Sequence, residues 1–225
     1  MRRAALAIAS TATLICASLG SPALSAPADP PSPALQQETS DAVDVVNEFW
    51  EIHWSDHFTQ SYQQPALFGS SGFYEAESSR LPTCDGELLG DDPQEKYNAF
   101  YCPDEDFLAW SVDFMDLGFN MVGDSWVYLI TAHEWGHAIQ ARLDVSLVDT
   151  AEELQADCLA GATLQGATED GTLTWEEGDT DEVVSALQKL GDTTPWTHPE
   201  DHGDVSERIN AFDMGVQGGV DSCVT

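Results

Sequence analysis

The chain has 225 residues and a mass of 24.4 kDa, the size of one domain with short appendages. Hydrophobic residues make up 42% of it, enough for a packed core and against wholesale disorder. Seven Lys and Arg face 40 Asp and Glu, a formal charge of −33. That balance argues against a nucleic-acid partner, because nothing could neutralise a run of phosphates, and against adhesion to an anionic membrane face.

Residues 1–26 read as a secretory signal. Arg2 and Arg3 form a positive start, Ala4 to Leu19 is apolar, and small residues cluster from Ser21 to Ala26, with a cut expected near Ser25. The cut removes two arginines and takes the formal charge to about −35. Cys16 follows Ile15 rather than a small residue, which opposes a lipid anchor. No other apolar run reaches the roughly 18 residues that span a bilayer. A secreted protein is expected, with no membrane contact in the mature form and a monomeric state.

Residues 27–40, rich in Pro and Ala, read as an extended linker, with the folded domain over 41–225. Val43, Val46 and Trp50 keep helical spacing, so a helix is expected from Asp41 to about Gln60, capped by Ser40. A strand is expected over Gln64–Phe68 and mostly loop over 69–98. Ala99 to Val112 reads as a second strand region broken by a turn at Pro103. Four helices follow, about Ser125–Leu143, Thr150–Leu164, Glu182–Leu190 and Val205–Val216. The sum is a mostly helical α+β domain with a small sheet. Four cysteines remain beyond the signal, which suggests two disulfides in an exported chain with three possible connectivities. Cys84–Cys102 closes a short loop and Cys158–Cys223 ties down the C-terminus, so these are the favoured pairs. No C-x-x-C pair offers a Cys-ligated zinc.

His133-Glu134-Trp135-Gly136-His137 is an H-E-x-x-H on a predicted helix. Residues four apart share a helix face, so both imidazoles can reach one metal ion, with Glu134 at the edge of that face. The competing reading is a core helix with two paired histidines. It is disfavoured because a buried His-Glu-His set without a ligand is electrostatically costly. A catalytic zinc takes three protein ligands and keeps one position open. If the next helix returns antiparallel through Asp144–Asp149, Glu153 comes level with His137 and Asp157 lies opposite His133. Glu153 is then the third ligand, with Glu152 as substitute, and Asp157 accepts the other ring N–H of a ligand histidine. Thr150-x-x-Glu153 also reads as a capping box that would use the same carboxylate. Asp149-x-x-Glu152 can cap equally well and leave Glu153 free.

The chain resembles the neutral zinc metallopeptidase family of the gluzincin group. The likeness rests on Tyr62 to Phe68 (YQQPALF), Phe100 to Asp104 (FYCPD), HEWGH at 133–137, ELQADC at 153–158 and HGDVSERI at 202–209, and it covers about residues 42–217. The resemblance implies Zn2+, a zincin-like α+β fold, His133, His137 and Glu153 as ligands, and Glu134 as the catalyst of peptide hydrolysis on a peptide or protein substrate. The interval between His137 and Glu153 is short. In such a site Glu134 serves as general base toward water and then protonates the leaving amine. His202 is the candidate donor to the developing oxyanion, ahead of His198 and Tyr101, with an ordinary loop histidine as the alternative. Two rival functions are a catalytically silent metal-binding or interaction module on the same scaffold and a zinc amidase acting on cell-wall crosslinks.

Other features have structural readings. His53 and His57 are four apart but lack a completing carboxylate motif, and Trp50 and Trp54 mark a packed aromatic segment. Arg208 is expected to pair with an acid and lock the C-terminal helix. The acidic stretch from Glu169 to Glu177 lacks an oxygen ligand at Gly166, the first position of a calcium loop, so a solvated loop is expected.

Overall fold

The computed structural model describes residues 30–90, 93–198 and 201–224. The signal expected over 1–26, and the first three residues of the expected linker, lie outside these. The rest of that linker is a correction. Helix α1 runs over Pro33–His57, eight residues earlier than the apolar spacing implied. Ser32, not Ser40, is its N-cap and accepts from the Leu35 N–H at 3.1 Å. Pro33 then occupies the first turn, where a missing N–H costs nothing. The Pro-rich composition resembled a linker because it holds a helix start.

Strands β1 (Ala66–Leu67), β2 (Phe73–Tyr74), β5 (Ala99–Cys102) and β6 (Phe107–Ser111) form one small sheet. β1 and β2 pair in parallel with successive halves of β6, while β5 runs antiparallel along all of Phe107 to Trp110. The turn between β5 and β6 falls at 103–106, as Pro103 suggested. The 69–98 segment holds more than loop: β2, a hairpin of β3 (Thr83–Cys84) and β4 (Glu87–Leu88), and a single turn, α2 (Pro93–Lys96). Two disulfides are present, Cys84–Cys102 and Cys158–Cys223. The first staples the hairpin to β5.

Helix α3 (Val112–Met121) directly continues β6 and was not anticipated. The alternation through Phe107–Val112 masks the change of period, and Gly118 interrupts the helical pattern. Gly118 is required there, because an added Cβ would lie about 2 Å from the Trp126 ring. Helices α4 (Ser125–Gln140), α5 (Glu152–Asp170), α6 (Asp179–Leu190) and α7 (Val205–Gly218) complete the fold. α5 runs on to Asp170, and Gly171 after it takes the left-handed conformation (φ 78°) common just past a helix end. No described helix is long and apolar enough to cross a membrane.

The core lies where α4 and α5 cross beneath α1 and α7. α4 is buried on nearly every face, from Trp126 to Gln140, as expected of a central helix. Trp135, inside the H-E-x-x-H, points into this core, and its ring N–H donates to the Tyr62 hydroxyl at 3.0 Å. Close approach of the helices depends on glycine. A Cβ at Gly136 would lie 3.0 Å from the Ala156 backbone on α5. One at Gly215 on α7 would lie 1.8 Å from the Cys158 carbonyl oxygen.

Gly215→Ala is therefore expected to lose about 2 kcal/mol of stability through overpacking, despite alanine's better helix propensity. Denaturant unfolding of the variant beside the parent checks this.

Candidate metal centre

Two helical periodicities build the site. His133 and His137 stand one turn apart on α4, and Glu153 and Asp157 one turn apart on α5. α4 ends at Gln140, and the chain returns through a short 3-10 turn over Val145–Leu147, bringing the two pairs face to face. The His133 Nε2 lies 3.1 Å from Glu153 Oε2, and the His137 Nε2 lies 3.4 Å from Glu153 Oε1. Ligands about 2.0–2.1 Å from a tetrahedral ion sit roughly 3.3 Å apart. The three groups therefore have the spacing and the donor chemistry to hold a metal ion.

Each imidazole is held by its other nitrogen. His133 Nδ1 is 2.8 Å from Asp157 Oδ1. Asp157 is fully buried and also accepts from Arg208 Nε (2.7 Å) and Nη2 (2.8 Å). Its oxygens only accept, so the Nδ1 of His133 carries the proton and Nε2 faces Glu153. His137 Nδ1 is 2.8 Å from Gln140 Oε1. The Gln140 amide donates to the Glu152 carbonyl (2.7 Å) and to Gln155 Oε1 (3.0 Å), so its oxygen must accept from His137. Both rings thus present Nε2 to the same point, an arrangement that fixes orientation and raises ligand basicity.

Without an ion the same groups pair as acid and base. Burial opposes a cation on His133, but Asp157 and Glu153 outweigh it and lift its pKa to about 10. Burial also opposes a charged Glu153, yet the two histidines hold its carboxyl well below the usual carboxylate range. A metal cation replaces the protons in such a cluster. Glu134 behaves differently. Burial pushes its carboxyl up against the pull of His133 and His137. Among the described residues nothing forms a hydrogen bond or ion pair with it.

The cluster opens into a cleft of about 1000 Å³, walled by β5, α3, α4, the start of α5, the end of α6 and the loop before α7. His202 stands at its edge. Its Nε2 is 4.0 Å from Glu153 Oε2, and its side chain is 46% exposed. Asp192 holds it, one oxygen accepting the His202 backbone N–H at 2.9 Å and the other lying 3.9 Å from Nδ1. Tyr101 also lines the cleft, but its hydroxyl donates to Asp106 (2.8 Å), and burial first, then that bond, push its pKa up to about 12. His198 is exposed and not part of the cleft wall.

The capping question has a clear outcome. α5 has Ala151 at its N-cap position without a side-chain cap, while Asp149 accepts from the Ala151 N–H at 3.0 Å. Glu153 is free to face the histidines, and Glu152 is not part of the cluster. Arg208 pairs with an acid as expected, and that acid is Asp157. Gln140 went unnoticed in the sequence, although its place three residues after His137 put it on the same face. Asp192 carried no local signal, since only the fold brings it to His202. His53 and His57 are tied separately, to Asp56 and Asp170 and to Asp221.

No family model matches the chain, and no solved structure matches it. The chain is 26% identical over 216 aligned residues to the uncharacterized protein YpfJ of Escherichia coli strain K12, covering 82% of this chain and 70% of YpfJ. The YpfJ of Escherichia coli O6:H1 strain CFT073 matches to the same extent.

Two outcomes follow from the proton and hydrogen-bond arrangement. Asp157→Asn should weaken divalent-metal binding about 10- to 100-fold, read by competition with a chromophoric chelator. In chelator-treated protein, the raised His133 pKa contributes stability that is complete below about pH 6.5 and drains away as pH rises toward 10. The depressed Glu153 pKa contributes stability that is present above about pH 4.5 and lost below it. Thermal unfolding of metal-free protein should therefore weaken from pH 7 to pH 10, with a smaller fall in Glu153→Gln.

Proposed function

We propose that the chain is a secreted, zinc-dependent peptidase with a zincin-like fold. The observation that carries this reading is the Glu134 carboxylate, buried and without a partner beside a group of two imidazoles and one carboxylate. That donor set and count suit a catalytic zinc with an open position better than a closed structural site. A site built only to hold metal needs no free acid beside it. The resemblance to neutral zinc metallopeptidases through HEWGH, ELQADC and HGDVSERI supports the same reading. The two disulfides are in keeping with an oxidising compartment outside the cytosol.

His133, His137 and Glu153 would hold the ion, with Asp157 and Gln140 fixing the rings. When bound, a zinc ion would supply Lewis acidity toward a water molecule and the scissile carbonyl. Glu134 takes the proton from the attacking water and hands it to the leaving amine. Its elevated pKa suits a group that must both accept and return a proton. His202, held by Asp192, lines the cleft 4.0 Å from Glu153 and donates to the charge developing on the carbonyl oxygen. The cleft along β5 has room for an extended peptide segment.

Glu134→Gln should retain one metal ion per chain and lose peptide cleavage by about 10²-fold or more, measured on a mixed peptide library. Metal retained with no cleavage by either form, on peptides or on cell-wall crosslinks, would overturn the hydrolase reading. His202→Ala should lower turnover by about 10²-fold, and an unchanged rate would remove it from the mechanism.

A further inference from the structure

One charge on the cleft wall has no part in the reaction above. Lys189, in the last turn of α6, is exposed and lines the same cleft as Glu134 and His202. It makes no hydrogen bond or ion pair among the described residues. That is unusual in a chain with 40 acids and seven bases. Arg208 is committed to Asp157, Arg142 to Asp106 and Lys96 to Glu77, while Arg80 is exposed outside the cleft wall. Two acids of the same cleft wall serve other ends. Asp192 holds His202, and Asp201 accepts from Thr197 and His198. A helix C-terminus favours a lysine, but that benefit does not require it to line the cleft.

We propose that Lys189 is a specificity-determining residue that binds a carboxylate of the substrate, near the bond to be cleaved. The inference rests on the peptidase reading. Its position fits that role, since the carbonyl of the next residue, Leu190, accepts from Arg208 Nη1 at 3.2 Å, and Arg208 grips the carboxylate that orients His133. Lys189 is thus rooted beside the rigid frame of the metal group. The charge of the whole chain restricts the substrate further. A polyanion is repelled, and Glu152, Asp192 and Asp201 on the same wall oppose a second acid. The ligand is a neutral or basic peptide with one well-placed carboxylate, from an Asp or Glu side chain or from its free C-terminus.

The test uses metal-loaded protein and a matched set of quenched fluorescent peptides. One arm carries a single Glu at successive positions with an amidated C-terminus, one is neutral with a free C-terminal carboxylate, and one is neutral and amidated. Parent protein should favour one carboxylate-bearing arm over the neutral amide about 3- to 10-fold in kcat/KM, and that arm identifies the source of the carboxylate. The ratio should fall to about one in Lys189→Met and survive in Lys189→Arg. A ratio near one in the parent, or a ratio unmoved in Lys189→Met, overturns the proposal. If no peptide is cleaved, the peptidase reading fails separately, and anisotropy measurements with the same peptides decide the matter. Tighter binding of a carboxylate arm that depends on Lys189 upholds the assignment, and equal affinities reject it.

Discussion

The Asp157 carboxylate joins three helices. It sits on α5, accepts from His133 on α4 and takes a bidentate grip from Arg208 on α7, with no part of it exposed. An anion buried this deeply is tolerated only when its partners compensate it fully, and loss of either partner leaves a costly unpaired charge. The metal group depends on that compensation. His133 has its tautomer and its direction because Asp157 holds Nδ1, and Asp157 remains charged because Arg208 stands behind it. Removing the C-terminal helix would therefore disturb His133 on the far side of α5. The close contacts at Gly136 and Gly215 have the same consequence, because they bring the three helices near enough for side chains of this length to meet.

The parts of the site carried by local spacing were legible in the sequence. An interval of four residues in a helix places two side chains on one face whatever the fold, so HEWGH and the Glu153–Asp157 pair could be read directly. A short return between the helices then left few ways to set the pairs against each other. Of the favoured cysteine pairs, Cys84–Cys102 follows from a similar economy of loop closure. What escaped reading depended on contacts distant in sequence. Asp192 reaches His202 only because the loop before α7 folds back on the end of α6. Helix α3 escaped because one alternating apolar run crosses from strand to helix without a break. The start of α1 escaped because proline and serine serve linkers and helix starts alike, and only the buried side chains of Leu35 and Thr39 separate the two.

Charge organises the remainder. The interior pairs its few cations with care, each placed where it supports the site or the strand beside it. Arg142 donates from Nη2 to both carboxylate oxygens of Asp106 and from Nη1 to the hydroxyl of Tyr101 on β5. Arg208 supports His133 through Asp157. Acids far outnumber bases and keep the chain anionic, and Lys189 lines the cleft with no hydrogen bond or ion pair among the described residues.

The central claim is that His133, His137 and Glu153 together hold a divalent ion, and X-ray absorption on zinc-loaded protein tests it most directly. The account predicts nitrogen and oxygen neighbours only, about 2.0–2.1 Å from the metal, with the outer-shell scattering of two imidazole rings. Sulfur in the first shell, or a spectrum without imidazole scattering from correctly folded protein, would contradict it.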